Sequence, residues 1–158
     1  MLRTLPPIIK IYEALGAIAD QRIELTQGLF VEAKVYSSSR EKYYTVTYDQ
    51  GNNAIMLNDN GSYWKGYLGY PGIAVLLLTG MLPLQKGYSE ILKDIPRKEI
   101  NTKNNNDFEK TQQQIDTMII EKGGDREAFH KYIQNIIDEI TKKPLSYLGK
   151  KTLPPKGN

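Results

Sequence analysis

One short segment holds the residues best suited to recognition. Between Asn58 and Gly72 four large rings, Tyr63, Trp64, Tyr67 and Tyr70, are interleaved with Gly61, Gly66, Gly69 and Gly72, and Asp59 and Lys65 are the charged side chains among them. Glycine lets a ligand or a second backbone approach closely, while a ring with a hydroxyl or an indole N–H brings apolar area with a polar tip. Asp59, Tyr63, Trp64, Lys65, Tyr67 and Tyr70 are therefore the first candidates for a ligand- or partner-binding site. The competing account is structural: the same rings would pack the strands before them against the helix after them. On a continuous helix Tyr63, Tyr67 and Tyr70 would share one face. Asp59, flanked by Asn58, Asn60 and Ser62, has part of the oxygen-rich spacing of a calcium loop but lacks the final acid that such a loop requires. An Asx turn capping a short helix over 62–68 accounts for the same residues.

A second cluster, Lys34, Tyr36, Arg40, Lys42 and Tyr43, combines basic and aromatic side chains on and around two expected strands. Aromatic rings on an open sheet face stack single-stranded bases, with nearby cations meeting the phosphates. Glu32, Glu41 and Asp49 oppose that use, and the ring-bearing signature of the common RNA-binding sheet is missing, so ordinary strand propensity explains the tyrosines as well.

Standard catalytic and metal-binding machinery is absent from the sequence, which leans the reading away from an enzyme without closing it. No phosphate-binding loop of the G-x-x-x-x-G-K-[ST] type, no G-x-G-x-x-G, no nucleophile elbow and no H-E-x-x-H occurs. With no cysteine, thiolate metal sites, disulfides and cysteine nucleophiles are excluded. His130 is the single histidine and falls beside an apolar helical stripe, at a boundary or solvated position rather than a catalytic one. Glu90, Asp94 and Glu99 are spaced as solvent-facing helix charges, not as a glycosidase pair. The reading is thus no catalytic residue, no metal and no cofactor.

The elements that must position these residues follow from periodicity. Ile8, Ile11, Tyr12, Leu15 and Ile18 recur at helical steps after Pro7. Strand patterns then cover 22–25, 29–36, 43–48 and 54–57, separated by turn-forming residues. Pro71 opens a strongly apolar helix over 72–79, closed by Gly80, and a shorter one covers 88–95. The polar run 102–107 reads as a loop. Asp107 caps a helix to Lys122, Asp125 caps another from Arg126 to Thr141, and Gly123-Gly124 joins them as a hairpin. One helix before the strands does not suit a winged helix, whose recognition helix follows another helix.

The fold expected is α+β: an N-terminal helix, a small antiparallel meander of three to four strands, then about four helices ending in the hairpin. The 158 residues suit a single domain over 1–143, followed by a basic, proline-containing tail over 144–158 that reads as disordered. The net charge is +3, but five lysines (142, 143, 150, 151 and 156) lie beyond residue 141 without any acid; removing them from the 21 basic residues leaves 16 against 18 acidic ones, a net −2. No apolar run approaches the roughly 20 residues of a membrane span, and no leader pattern stands at the N-terminus, so the expectation is an uncleaved cytoplasmic chain without membrane attachment. Three functions fit. The first is a non-catalytic protein-interaction or assembly module, binding a partner or itself; the second, a nucleic-acid accessory protein using the Tyr/Lys face and the basic tail; the third, a small enzyme or ligand sensor with a pocket at residues 59–72.

Overall fold

The computed structural model describes residues 1–156; the last two residues of the basic tail, 157 and 158, lie outside them. The chain is α+β. Helix α1 (Ile9–Ala19) leads into strands β1 (Ile23–Gln27), β2 (Val31–Tyr36), β3 (Tyr43–Asp49) and β4 (Ala54–Leu57). One turn of π-helix, Gly61–Lys65, precedes α2 (Tyr70–Thr79), α3 (Lys86–Glu90), α4 (Arg97–Lys103), α5 (Phe108–Glu121) and α6 (Arg126–Lys142).

Strands β1 to β4 form the expected antiparallel meander. A fifth strand, β5 (Ser146–Tyr147), extends it by pairing parallel to β4. The first five residues of the composition-defined tail are therefore not free of the domain: Leu145 is buried, and Leu148 donates to the Ile55 carbonyl at 3.1 Å. The N-terminal segment runs along the outside of β5, with Leu2 bridging to Ser146, so the edge is covered by the protein's own chain.

Alternation decides which sheet face is buried. Val35 faces Tyr44, Ala33 faces Val46 and then Leu57, and Val31 faces Tyr48 and then Ile55, giving three cross-strand rows of buried side chains. Helix α2 lies on this face, α1 packs on α2, and α3 and α5 pack on α1. A side chain at Gly72 would run into Leu57 and Leu68, so this glycine lets α2 settle close to β4. Gly80 and Gly123 end α2 and α5 with φ of 85° and 88°, and Asp107 and Asp125 cap α5 and α6 through the Lys110 and Ala128 N–H groups. Five helices follow the sheet rather than about four, because the stretch before Asp107 contains α4. Among the described residues no helix is long and apolar enough to cross a membrane.

Candidate functional site

Helix α1 has two functional stripes. Its apolar side carries Ile11, Tyr12 and Leu15 into the core, whereas Lys10, Glu13, Gly16 and Asp20, at steps of three, three and four, form a polar stripe along another side. Lys10 and Glu13 of that stripe form one wall of a cleft of about 340 Å³. Arg22, just before β1, and Tyr70, at the start of α2, reach into it. The turn between β2 and β3 adds Ser37 and Ser38, β3 and its approach add Lys42 and Tyr44, and α4 closes the far side with Arg97 and Lys98. Five basic side chains line this space against a single acid, Glu13.

The floor is formed by two arginines, each 3% exposed. Arg97 lies flat over Gly16, where any Cβ would overlap its guanidinium, and its Nη1 donates to the Leu92 carbonyl at 3.0 Å. Arg22 Nη1 donates to the Tyr36 carbonyl at 2.7 Å. Both guanidiniums approach Asp20 Oδ2, Arg97 through Nη2 at 3.6 Å and Arg22 through Nε at 3.8 Å. Those same two atoms are buried and meet no hydrogen-bond acceptor among the described residues. Asp20 Oδ2 is the anion that both atoms face, just beyond hydrogen-bond range, so one carboxylate is shared between two buried guanidinium charges and the floor keeps a positive surplus. Burial and the neighbouring Arg22 charge both lower the Arg97 pKa, against Asp20, which raises it.

The rest of the wall is electrically linked to this floor. Lys10 pairs with Glu13 at 3.1 Å; burial pulls its pKa down, but Glu13 and more distant groups outweigh that and leave it raised. Tyr70 is pushed up chiefly by burial, against the Arg22 charge and a hydrogen bond its oxygen accepts from Arg22, so its phenol stays neutral. Its ring meets Tyr44 edge-on, at 6.1 Å and 85°. Lys42 stands 5.7 Å over the other side of Tyr44. The arrangement suits binding: it has charge, hydrogen-bond donors and depth, while none of its groups is set up as a nucleophile beside a base.

The six residues of the aromatic segment are distributed rather than gathered. Gly66, at φ 77°, stops the π-turn, so Tyr63, Tyr67 and Tyr70 do not share one helical face. Tyr70 lines the cleft together with Asn60. Tyr67 lies over Gly61, where a Cβ would strike its ring. Tyr63 packs edge-on against Trp64 at 4.6 Å and lies beneath Lys151 at 5.7 Å, and Trp64 and Lys65 face outward.

Asp59 is buried and makes the expected Asx cap: its Oδ2 accepts from the Ser62 N–H at 3.2 Å, and Ser62 Oγ in turn accepts from the Gly69 N–H at 3.0 Å. Its Oδ1 has no partner among the described residues, and burial raises its pKa from the ordinary 3.8. Below pH 3.8 both folded and unfolded chains carry the proton; as pH rises, the unfolded chain ionises first and stability falls until the folded carboxyl follows. Asp59→Asn keeps an acceptor for Ser62 and removes that loss. Measured by urea unfolding, the variant should gain on the parent as pH is raised from 3.5 through the acid range; parallel curves would place the carboxylate in water.

The second predicted cluster is split by the strand alternation. Lys34, Tyr36 and Tyr43 do share the open sheet face, with Tyr36 and Tyr43 rings 5.6 Å apart and the Lys34 ammonium 5.0 Å over Tyr43. Glu24 occupies the Tyr36 hydroxyl at 3.2 Å on that face. Lys42 turns to the cleft instead, and Arg40, at φ 64°, donates to the Asp20 carbonyl at 2.6 Å. His130 is not simply solvated: its Nε2 lies 2.8 Å from Oδ2 of the buried Asp116. Arg22 and Arg97 were absent from every candidate set. The sequence signal for them was the polar stripe on α1, whose Gly16 marks where Arg97 rests.

No curated protein and no solved structure matches the chain significantly. A family model does match, over residues 3–146, which takes in α1, strands β1 to β4 and all the helices that build the cleft. On that match the chain belongs to the family described as uncharacterised conserved protein UCP014422.

Proposed function

We propose that this protein is a binding protein for a small anionic molecule, held in the cleft between α1, the turn from β2 to β3, and α4. The observation that supports it most is the charge of the cleft: five basic side chains, two of them the buried Arg22 and Arg97, line it against one acid, Glu13. The reading belongs with the ligand-sensor alternative, moved from the aromatic segment to the cleft that the segment adjoins through Asn60 and Tyr70.

Calorimetric titration with polyvalent anions, citrate and phosphate esters among them, tests this. At least one should bind at millimolar or lower concentration, and Lys42→Ala, a change at the rim, should weaken it about tenfold, the value of one charge-assisted hydrogen bond. Absence of binding by every anion in the set would defeat the reading.

An interaction surface is the second reading, and it has its own observation. Trp64, the single tryptophan, is 68% exposed at the tip of the π-turn, beside Lys65 and the Tyr63–Lys151 contact. Trp64→Ala should leave the urea midpoint of the isolated protein nearly unchanged, within about 0.5 kcal/mol. A loss of several kcal/mol would return the ring to a packing role.

A further inference from the structure

We infer that the open edge of the sheet, strand β1, pairs antiparallel with β1 of a second copy of this chain, joining two sheets into one across a two-fold axis at Leu25. None of the residues of β1 lines the anion cleft. The two edges of the sheet differ. Strand β5 is two residues long, and the N-terminal segment runs along it. Strand β1 presents five residues, Ile23–Gln27, with no strand beyond it. An open edge is normally guarded by a lysine, a proline or a bulge, and β1 has none of these. Its one charge, Glu24, lies across from Lys34 and accepts from the Tyr36 hydroxyl, so it is drawn toward β2.

Hydrogen-bond alternation along β1 fixes what the edge offers. The Tyr36 N–H donates to the Arg22 carbonyl at 2.8 Å and the Gly28 N–H to the Phe30 carbonyl at 3.0 Å, so the even-numbered residues of β1 bond to β2. Ile23, Leu25 and Gln27 therefore turn their N–H and C=O groups outward. With Leu25 on the two-fold axis, Ile23 faces Gln27 of the second copy, and all of these groups are used. Glu24 then faces Thr26, and no like charges are directly opposed. The neighbouring registers fit less well. One sets Glu24 opposite Glu24 of the second copy, and the other carries Ile23 past the end of the facing strand, opposite Leu29.

The side chains agree with this register. On the core face Leu25 ends a cross-strand row that runs through Ala33, Val46 and Leu57. Those three are buried, whereas Leu25 is only partly so. Pairing at the axis sets Leu25 against Leu25, makes the row continuous through both copies and completes burial where it is unfinished. Helix α2 lies over β3 and β4, away from this edge. This self-match favours a second copy over an unrelated strand, which the hydrogen bonds alone would accept equally.

The association of the full chain would be measured by sedimentation equilibrium over a concentration series, with amide exchange followed in parallel. A monomer–dimer equilibrium is expected, and the Ile23, Leu25 and Gln27 amides should exchange at least tenfold more slowly in the dimer. Gln27→Pro removes an outward N–H without touching a bond to β2 and should weaken the dimer tenfold or more. Thr26→Lys, a change at an exposed side chain, sets a cation opposite Glu24 of the second copy and should tighten the dimer about threefold. It keeps the test open if proline disturbs the strand. Trp64→Ala, at the other exposed surface, should leave the association unchanged. A monomer at every concentration would overturn the pairing and leave the edge to a strand of another protein. A dimer that survives Gln27→Pro, or is lost with Trp64→Ala, would overturn it by placing the contact elsewhere.

Discussion

A single methyl group added to α1, in Gly16→Ala, is expected to destabilise the protein by about 1–3 kcal/mol and to abolish most of its anion binding. The sign is what makes the result informative. In the interior of an exposed helix, glycine to alanine stabilises by about 1 kcal/mol, because alanine loses less backbone freedom on folding. At position 16 the new Cβ would instead fall on Cζ and both terminal nitrogens of Arg97. Arg97 has little room to yield, since Nη1 is bonded to the Leu92 carbonyl and Nη2 is drawn to Asp20. Either the guanidinium leaves the floor, taking with it one of the two buried charges, or α4 moves away from α1 and widens the cleft. Both routes weaken a ligand held by that floor. Urea unfolding with a parallel anion titration reads both effects; a variant more stable than the parent, with unchanged affinity, would show that Arg97 does not rest on Gly16 as described.

How legible this site was in the sequence depends on the range of the interactions that form it. Helix caps and turns act over three or four residues, and Asp107, Asp125, Gly80 and Gly123 could be read directly. The strand order also followed from alternation and turn spacing, since each hairpin joins neighbours in sequence. Strand β5 could not, because two residues have no period and their pairing with β4 reaches across about ninety positions. Helix α4 was hidden for a related reason. Of its residues only Ile100 is a buried apolar one, and its other buried side chain is Arg97, a type that composition assigns to the surface. The cleft assembles a helix stripe, two turns, a strand and α4, from Lys10 to Asn106, so no local window contains its pattern. The aromatic segment misled in the opposite way: its rings are adjacent in sequence, but Gly66 turns the chain between them and sends Tyr70 to the cleft and Trp64 to the surface.

Asp116→Ala is expected to cost about 1–3 kcal/mol, the range for leaving a buried hydroxyl donor without its acceptor. Asp116 is 3% exposed and joins three helices. Its Oδ1 accepts from the Tyr12 hydroxyl of α1 at 2.7 Å, and its Oδ2 meets His130 Nε2 of α6 at 2.8 Å and Arg126 Nε at 3.7 Å. Tyr12 is wholly enclosed, with its ring edge-on to Phe129 at 5.1 Å, and burial together with the bond to Asp116 keeps its phenol protonated. Alanine at 116 would strand that hydroxyl in the core without its acceptor. Asp116→Asn, which can still accept from Tyr12, should cost less than the alanine variant. Tyr12→Phe removes the stranded donor, so the double change Tyr12→Phe/Asp116→Ala should be clearly less harmful than the two single losses added together, by 1 kcal/mol or more. Strict additivity in urea unfolding would mean that the two side chains are not in contact. Because the network ties α1 to the α5–α6 hairpin on the side away from the sheet, its loss should lower stability without changing which anions the cleft prefers. A shift in ligand preference would instead show that α1 transmits the state of the hairpin to Lys10 and Glu13 on its polar stripe.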